Sequence, residues 1–258
     1  MLSGRTIVVT GAASGIGRET ARLAQASGAN VIAVDRNEPD IEVGAFFQAD
    51  LSQKGSIDAL VAKLPEGLDG LANIAGLPPT HAPEAVLRVN LVGLKYLTEQ
   101  LVAKFADDAA IVNLASLAGL GWAGNVEAVN ASRDLDFDEV DTFCRKHRID
   151  GERSYFFSKE ALIAWTMANR WRWRDHGIRM NAVSPGPVET PILGDFLATL
   201  GARAEEDMRV MDRPGRPADI APVVLFLLSK DSAWIRGANI PVDGGMLSHV
   251  LVNQFGIA

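Results

Sequence analysis

Cysteine is almost missing from this 258-residue chain. Cys144 is the only one, so no internal disulfide can form, and no neighbours with metal-ligand spacing surround it. A reducing compartment, the cytoplasm, and a protein without a metal centre are expected. Long apolar runs are missing too: the longest, such as Val223–Leu228, fall far short of the ~20 residues of a membrane span. No charged N-terminal segment leads into a signal-like apolar stretch, so an unexported protein with no membrane partner is expected. Basic charge is in deficit, with 25 Lys+Arg against 32 Asp+Glu and a net charge of −7, which argues against a nucleic-acid partner. The local cluster Arg170-Trp-Arg-Trp-Arg174 therefore reads as a solvated or subunit-facing helix surface. Pro/Ser-rich linkers are also lacking, which points to one domain over residues 1–258. With 48% hydrophobic residues, that domain can bury a core without staples.

Short β-branched runs alternate with segments of helical period, the pattern of an α/β, doubly wound parallel sheet with helices on both faces. The expected strands, about seven, are Thr6–Thr10, Asn30–Asp35, Ala45–Ala49, Leu71–Ile74, Ala110–Ala115, Arg179–Val183 and Asn239–Val242. Helices are expected over Gly15–Ser27, Ser56–Leu64, Glu84–Phe105, Arg153–Asp175 and Pro217–Leu228. The alternation breaks twice. Between Arg36 and Gly44 the connection is too short for a helical crossover, so a loop is predicted there. Between Ala115 and Tyr155 the connection is too long for a bare loop, so an insertion at about 121–152 is predicted to carry its own helix over Asp136–Lys146.

Directly after the first strand comes Thr10-Gly-Ala-Ala-Ser-Gly-Ile-Gly17, running into a helix. Gly11, Gly15 and Gly17 permit a tight turn, a close approach of backbone to a pyrophosphate, and close packing of helix on strand, as in a Rossmann-type dinucleotide site. Asp35 ends the next strand, where a carboxylate can bind ribose hydroxyls and repel a 2′-phosphate, so NAD is expected rather than NADP. Arg36 is the competing signal. Further on, Tyr155 and Lys159 stand four residues apart in a helical segment, one turn along the same face. An alcohol being oxidised must lose a proton as well as a hydride, and a phenol of ordinary pKa is a poor base near neutrality. A neighbouring ammonium, with an oxidised nicotinamide adding further positive charge, is expected to lower that pKa by about two to three units, roughly 3–4 kcal/mol.

In combination, Thr10-Gly-(three residues)-Gly15-Ile-Gly17, Asp50-Leu51, Asn73-Ile-Ala-Gly76, Asn90, Ser116, Tyr155-(three residues)-Lys159 and Pro185-Gly-Pro-Val-Glu-Thr190 make the chain resemble the short-chain dehydrogenase/reductase family. The nearest likeness is the branch of coniferyl-alcohol and 3α-hydroxysteroid dehydrogenases. The resemblance implies a catalytic set of Asn90, Ser116, Tyr155 and Lys159, with Ser116 holding the substrate oxygen and Asn90 binding a water that links Lys159 to solvent. It implies NAD contacts from Gly11, Ser14, Gly15, Ile16, Gly17, Asp35, Asp50, Leu51, Asn73, Ala75, Gly76, Tyr155, Lys159, Pro185, Gly186, Val188 and Thr190. One departure is Ile74, where the family usually shows a second Asn.

The pocket decides the small-molecule substrate. Candidate walls are Trp122 with nearby insertion residues, Phe156, the Ile192–Met211 segment and the apolar tail Met246–Phe255, which suit a flat aromatic or alicyclic alcohol or carbonyl. A coniferyl-type aromatic alcohol is the leading expectation and a 3α-hydroxysteroid or other cyclic ketone the alternative. A non-catalytic NAD-binding sensor would be expected to lack one of Ser116, Tyr155 and Lys159, and all three are present. Family members often pair through the long helices expected here at Glu84–Phe105 and Arg153–Asp175. The insertion would obstruct that surface, so a homodimer through another face is expected, with a tetramer as the alternative.

Overall fold

Thr6–Thr10 (β1) pairs in parallel with Asn30–Asp35 (β2) on one side and Leu68–Asn73 (β4) on the other in the computed structural model, which describes residues 2–201, 209 and 211–257. Ala45–Gln48 (β3) extends the sheet beyond β2; Phe105–Leu114 (β5), Arg179–Pro185 (β6) and Asn239–Val242 (β7) extend it beyond β4. All pairings are parallel, in the order β3-β2-β1-β4-β5-β6-β7. Successive residues of a parallel strand bury on opposite faces, which is why the middle of β1, Ile7–Val9, is apolar without alternation. Val8 faces one layer with Ile32, Leu71, Ile111 and the helical residues Leu97 and Phe157. Ile7 and Val9 face the other, with Ala33, Val112 and the helical residues Ala21 and Val224. Strand order reverses between β1 and β4, which opens a crevice at the carboxyl ends of the strands.

The Gly15–Ala26 helix follows the first turn, and Pro217–Leu228 packs beside it. Lys54–Lys63, Leu94–Leu101 and Gly151–Ala168 cover the other face. Residues 36–44 hold no helix, as the short connection predicts. Several boundaries differ from the sequence reading. Strand β4 starts at Leu68 and β5 at Phe105, because an early bridge between those two residues precedes a register shift, with Asp108 at φ 63°. The helix expected over Arg153–Asp175 runs from Gly151 and ends at Ala168, before the Arg/Trp cluster, which forms turns and a short 3₁₀ segment with Trp171 57% exposed.

The segment expected as one helix over Glu84–Phe105 is a composite: Pro83–Leu87 is α-helical, Arg88–Gly93 widens into a π-helical turn, and Leu94–Leu101 resumes the α-helix. Gly93 lies where a Cβ would strike the Leu51 carbonyl, so the helix passes directly over that backbone. The insertion carries two helices of its own, Val126–Ala131 and Val140–His147, the second led by a capping box between Asp136 and Glu139. Buried Lys95 ties the insertion down, donating to the carbonyls of Ser132 (3.0 Å) and Arg133 (2.6 Å) at the end of the first of these helices. Among the described residues, no helix is long and apolar enough to cross a membrane.

Candidate active site

A cavity of about 660 Å³ runs along the carboxyl ends of the strands, from the first glycine turn to the C-terminal helix. At its base, Gly11 and Gly15 take positive φ (71° and 51°), and a Cβ at Gly17 would strike the Gly11 carbonyl. Ser14 precedes the helix in extended conformation with no side-chain cap, which leaves the first turn free to donate to an anion. These are the steric and electrostatic requirements of a pyrophosphate cradle, and the residues fit one. Thr10 steadies its other wall, its Oγ1 accepting from the N–H groups of Ile74 (3.0 Å) and Ala75 (3.1 Å).

Asp35 lines the cavity with Arg36 and Asn37, its Oδ2 accepting from Ala13 N (3.0 Å) and its Oδ1 from Asn37 N (3.0 Å). The carboxylate thus braces the glycine turn as well as facing the cavity. Asp50, Leu51, Ala75 and Gly76 line the same wall, and Pro185, Gly186, Val188 and Thr190 the opposite one, with Thr190 approaching Gly15. Asn73 does not line it, contrary to the expectation. Its Nδ2 donates to Thr98 Oγ1 and Asn113 Oδ1, both at 2.9 Å, deep between β4, β5 and the neighbouring helix. The strand's alternation turns this side chain into the core, so Asn73 is a sheet-bracing residue here.

Tyr155, Lys159 and Ser116 meet at the middle of the cavity. The helix spacing places Lys159 Nζ 5.5 Å from the Tyr155 ring centroid, and that ammonium donates to the Leu114 carbonyl at 2.7 Å. Ser116, just past β5, accepts from Ala118 N (3.2 Å), which starts a 3₁₀ segment over Leu117–Asn125. Tyr155 keeps part of its surface open to the cavity, yet burial pushes its phenol up to about 12, with hydrogen bonding to Ser116 opposing that shift. Burial likewise pulls Lys159 down to about 8. The expectation that Lys159 lowers the phenol's pKa is therefore not met in this structure: both groups are driven toward their neutral forms by the same desolvation. Asn90 sits in the π-helical turn, accepting from Leu77 N (2.7 Å) and donating to Leu77 O (3.0 Å). A Cβ at Gly76 would lie 3.4 Å from Asn90 Oδ1 and 3.9 Å from Lys159 Nζ, so both side chains flank this bare stretch of backbone.

Beyond Tyr155 the cavity becomes apolar. Phe156, Ile192, Leu193, Phe196 and Leu197 form one side, and Met246, Leu247, Val250 and Leu251 the other, ending at Gln254. Phe196 meets the Tyr155 ring edge-on at 4.7 Å. The expected tail is a helix, Met246–Phe255, whose first turn is held by Asp243 through Leu247 N (2.8 Å). Trp122 is not part of this wall; it packs with Met167 against Ala115, Ile163 and Ala182. Of the Ile192–Met211 segment, residues 202–208 and 210 lie outside the described residues. Sequence reasoning overlooked Leu117 and Leu120, which line the cavity from the segment after Ser116, and the ion pair between partly exposed Arg153 and buried Glu160. An acid immediately after Lys159, seven residues from an arginine on a helix, was the available signal for that pair.

Residues 5–132 match a family model described as short chain dehydrogenase, and residues 140–247 one described as enoyl-(acyl carrier protein) reductase. The coniferyl-alcohol dehydrogenase of Pseudomonas sp. (strain HR199 / DSM 7063) is 42% identical over 250 residues, covering 96% of this chain and 98% of that protein. The chain belongs to the short-chain dehydrogenase/reductase family. Another member of this oxidoreductase family, the 3-alpha-hydroxysteroid dehydrogenase/carbonyl reductase of Comamonas testosteroni, is 29% identical, with 96% of this chain and 99% of that protein covered. Among solved structures, the 3-alpha-hydroxysteroid dehydrogenase from Pseudomonas sp. B-0831, complexed with NADH, superposes with a TM-score of 0.82 at 30% identity, covering 95% of this chain and 98% of that one.

Proposed function

We propose that this oxidoreductase interconverts a coniferyl-type aromatic alcohol and its aldehyde with NAD, and that it works as a homodimer. The observation that carries the reading is the joining of two half-sites in one cavity: a glycine cradle with an acid on its rim, and a Ser116/Tyr155/Lys159 centre opening onto an apolar slot. When bound, the nicotinamide supplies the acceptor or donor of hydride. Gly11, Ser14, Gly15, Ile16 and Gly17 would hold the pyrophosphate, Asp35 the adenosine ribose, and Asp50 and Leu51 the adenine. Ala75, Gly76, Lys159 and the Pro185–Thr190 turn would hold the nicotinamide half.

Ser116 and Tyr155 hold the substrate oxygen between them. With its pKa near 12 the phenol is protonated at neutrality, ready to donate to a carbonyl; as base it gains effect as pH rises. Lys159, near 8, is mostly charged at neutral pH and passes protons outward through water held at Asn90. Support for an aromatic alcohol comes from the wall: among the described residues lining it from 192 to 197 and 246 to 254, Gln254 alone carries a hydrogen-bonding side chain, matching a flat apolar ligand with a polar far end. The 42% identical relative is named for such an alcohol. Support for a dimer through another face comes from the insertion helices, which pack on Pro83–Leu87 and on Gly151–Ala168, and from Trp234, 98% exposed just ahead of edge strand β7.

The test is turnover, followed by reduced-nicotinamide absorbance, on coniferyl alcohol, cinnamyl alcohol, a 3α-hydroxysteroid and cyclohexanol, each with NAD and with NADP. The highest kcat/KM is expected for coniferyl alcohol with NAD, at least tenfold above NADP. Preference for the steroid, toward which the structural likeness points, would overturn the substrate; preference for NADP would overturn the role of Asp35.

A further inference from the structure

A polar cluster outside the proposed chemistry lies across the helix that carries it. Glu160 directly follows Lys159, and its side chain is only 4% exposed. Arg153, two turns earlier on the same face of the helix, gives it two hydrogen bonds, Nη1 to Oε1 at 2.9 Å and Nη2 to Oε2 at 2.6 Å. A third comes from a different element: Asn125 Nδ2 donates to Glu160 Oε1 at 3.1 Å, and to the Gly121 carbonyl at 3.3 Å. A buried carboxylate is costly unless paired and bonded in this way, so its position within the fold is tightly specified.

Asn125 ends the 3₁₀ segment that Ser116 begins. Along that segment, Gly119 rests on the Lys159 peptide so closely that a Cβ would lie 2.6 Å from its carbonyl oxygen. Gly121 passes Glu160 in the same manner, with a Cβ position 3.1 Å from Oε1. Two glycines let the segment lie flat on the helix, Ser116 fixes one end at the cavity, and the Asn125–Glu160 bond fixes the other. We propose that Glu160, held by Arg153, is a positioning residue that buckles the Ser116 segment onto the Tyr155/Lys159 helix through Asn125, setting the serine hydroxyl against the phenol. The inference rests on the reading that Ser116 and Tyr155 share the substrate oxygen. A cluster that merely anchored the insertion would affect stability alone.

Asn125→Ala removes the bond between elements and leaves the ion pair intact; Glu160→Gln loosens both, and Arg153→Lys is the milder substitute should the glutamine variant fail to fold. Each is made in the full chain, alone and with Ser116→Ala. The expected result is a fall in kcat for the alcohol of about tenfold with KM and NADH affinity within twofold, and a fall of less than twofold when Ser116 is already alanine. Equal falls in both backgrounds, or a lowered melting temperature with kcat unchanged, would overturn the inference. A second readout needs no substrate. The chain has two tyrosines, so Tyr96→Phe leaves Tyr155 as the sole ring-labelled tyrosine in an NMR spectrum. Asn125→Ala should move its Cζ resonance in the same direction as Ser116→Ala, and an unmoved resonance overturns the inference. If the resonance moves and no alcohol turns over, the fault lies with the proposed reaction and not with the buckle.

Discussion

Burial sets the character of Tyr155 and Lys159 more than their closeness does. Lys159 is 4% exposed and drawn down from 10.5 to about 8, so below pH 8 the folded state must hold a charge that the unfolded chain holds more easily. Between pH 8 and 10.5 the unfolded chain binds more protons, and stability therefore rises with pH across that window. Lys159→Met is expected to gain stability relative to the parent by roughly 3 kcal/mol more at pH 6 than above pH 10.5, a figure set by about 1.4 kcal/mol per pKa unit. Denaturant unfolding at the two pH values checks this, and a pH-independent difference would contradict it. The pairing of these two residues is legible from helical spacing alone. The direction of the phenol's shift is not, because the desolvation comes from groups distant in the sequence, among them the edge-on ring of Phe196.

At the scale of elements, the insertion decides which surfaces remain open. Its helices Val126–Ala131 and Val140–His147 cover parts of the two long helical segments, and Lys95 clamps the end of the first. The proposed dimer therefore uses a different face, and light scattering is expected to give the mass of two copies of the 27.6 kDa chain; a tetramer in dilute solution would contradict it. The glycine turn was readable because its function and its geometry require the same residues at the same places. The π-helical turn at Arg88–Gly93 was not, since nothing in the local period marks an extra residue; the contact of Gly93 with Leu51 that accompanies it is long-range. Strand β4 likewise begins at Leu68 against expectation, because Asp69 and Gly70 are poor strand formers kept extended by their neighbours: Asp69 accepts from Thr6 N at 2.8 Å, and Gly70 is hemmed in by Ile7 and Leu228. Asn73 illustrates the same limit, as its sequence motif could not say to which face the side chain turns.

Over the whole molecule, residues from Gly11 to Gln254 converge on one cavity because a parallel sheet delivers every strand's carboxyl end to the same side. Chain topology thus assembles a cradle from the first quarter of the sequence, an acid/base centre from its middle and an apolar wall from its end. The central claim is that these parts meet at the Tyr155 hydroxyl. Tyr155→Phe removes that one oxygen and leaves the ring packed beside Phe196. The most direct measurement compares kcat/KM for coniferyl alcohol and the dissociation constant of NADH in the parent and in this variant. The expected result is a loss in kcat/KM of about 10²–10⁴-fold, the range of general acid–base catalysis, with NADH binding unchanged within a few-fold. Turnover within a few-fold of the parent would contradict the account.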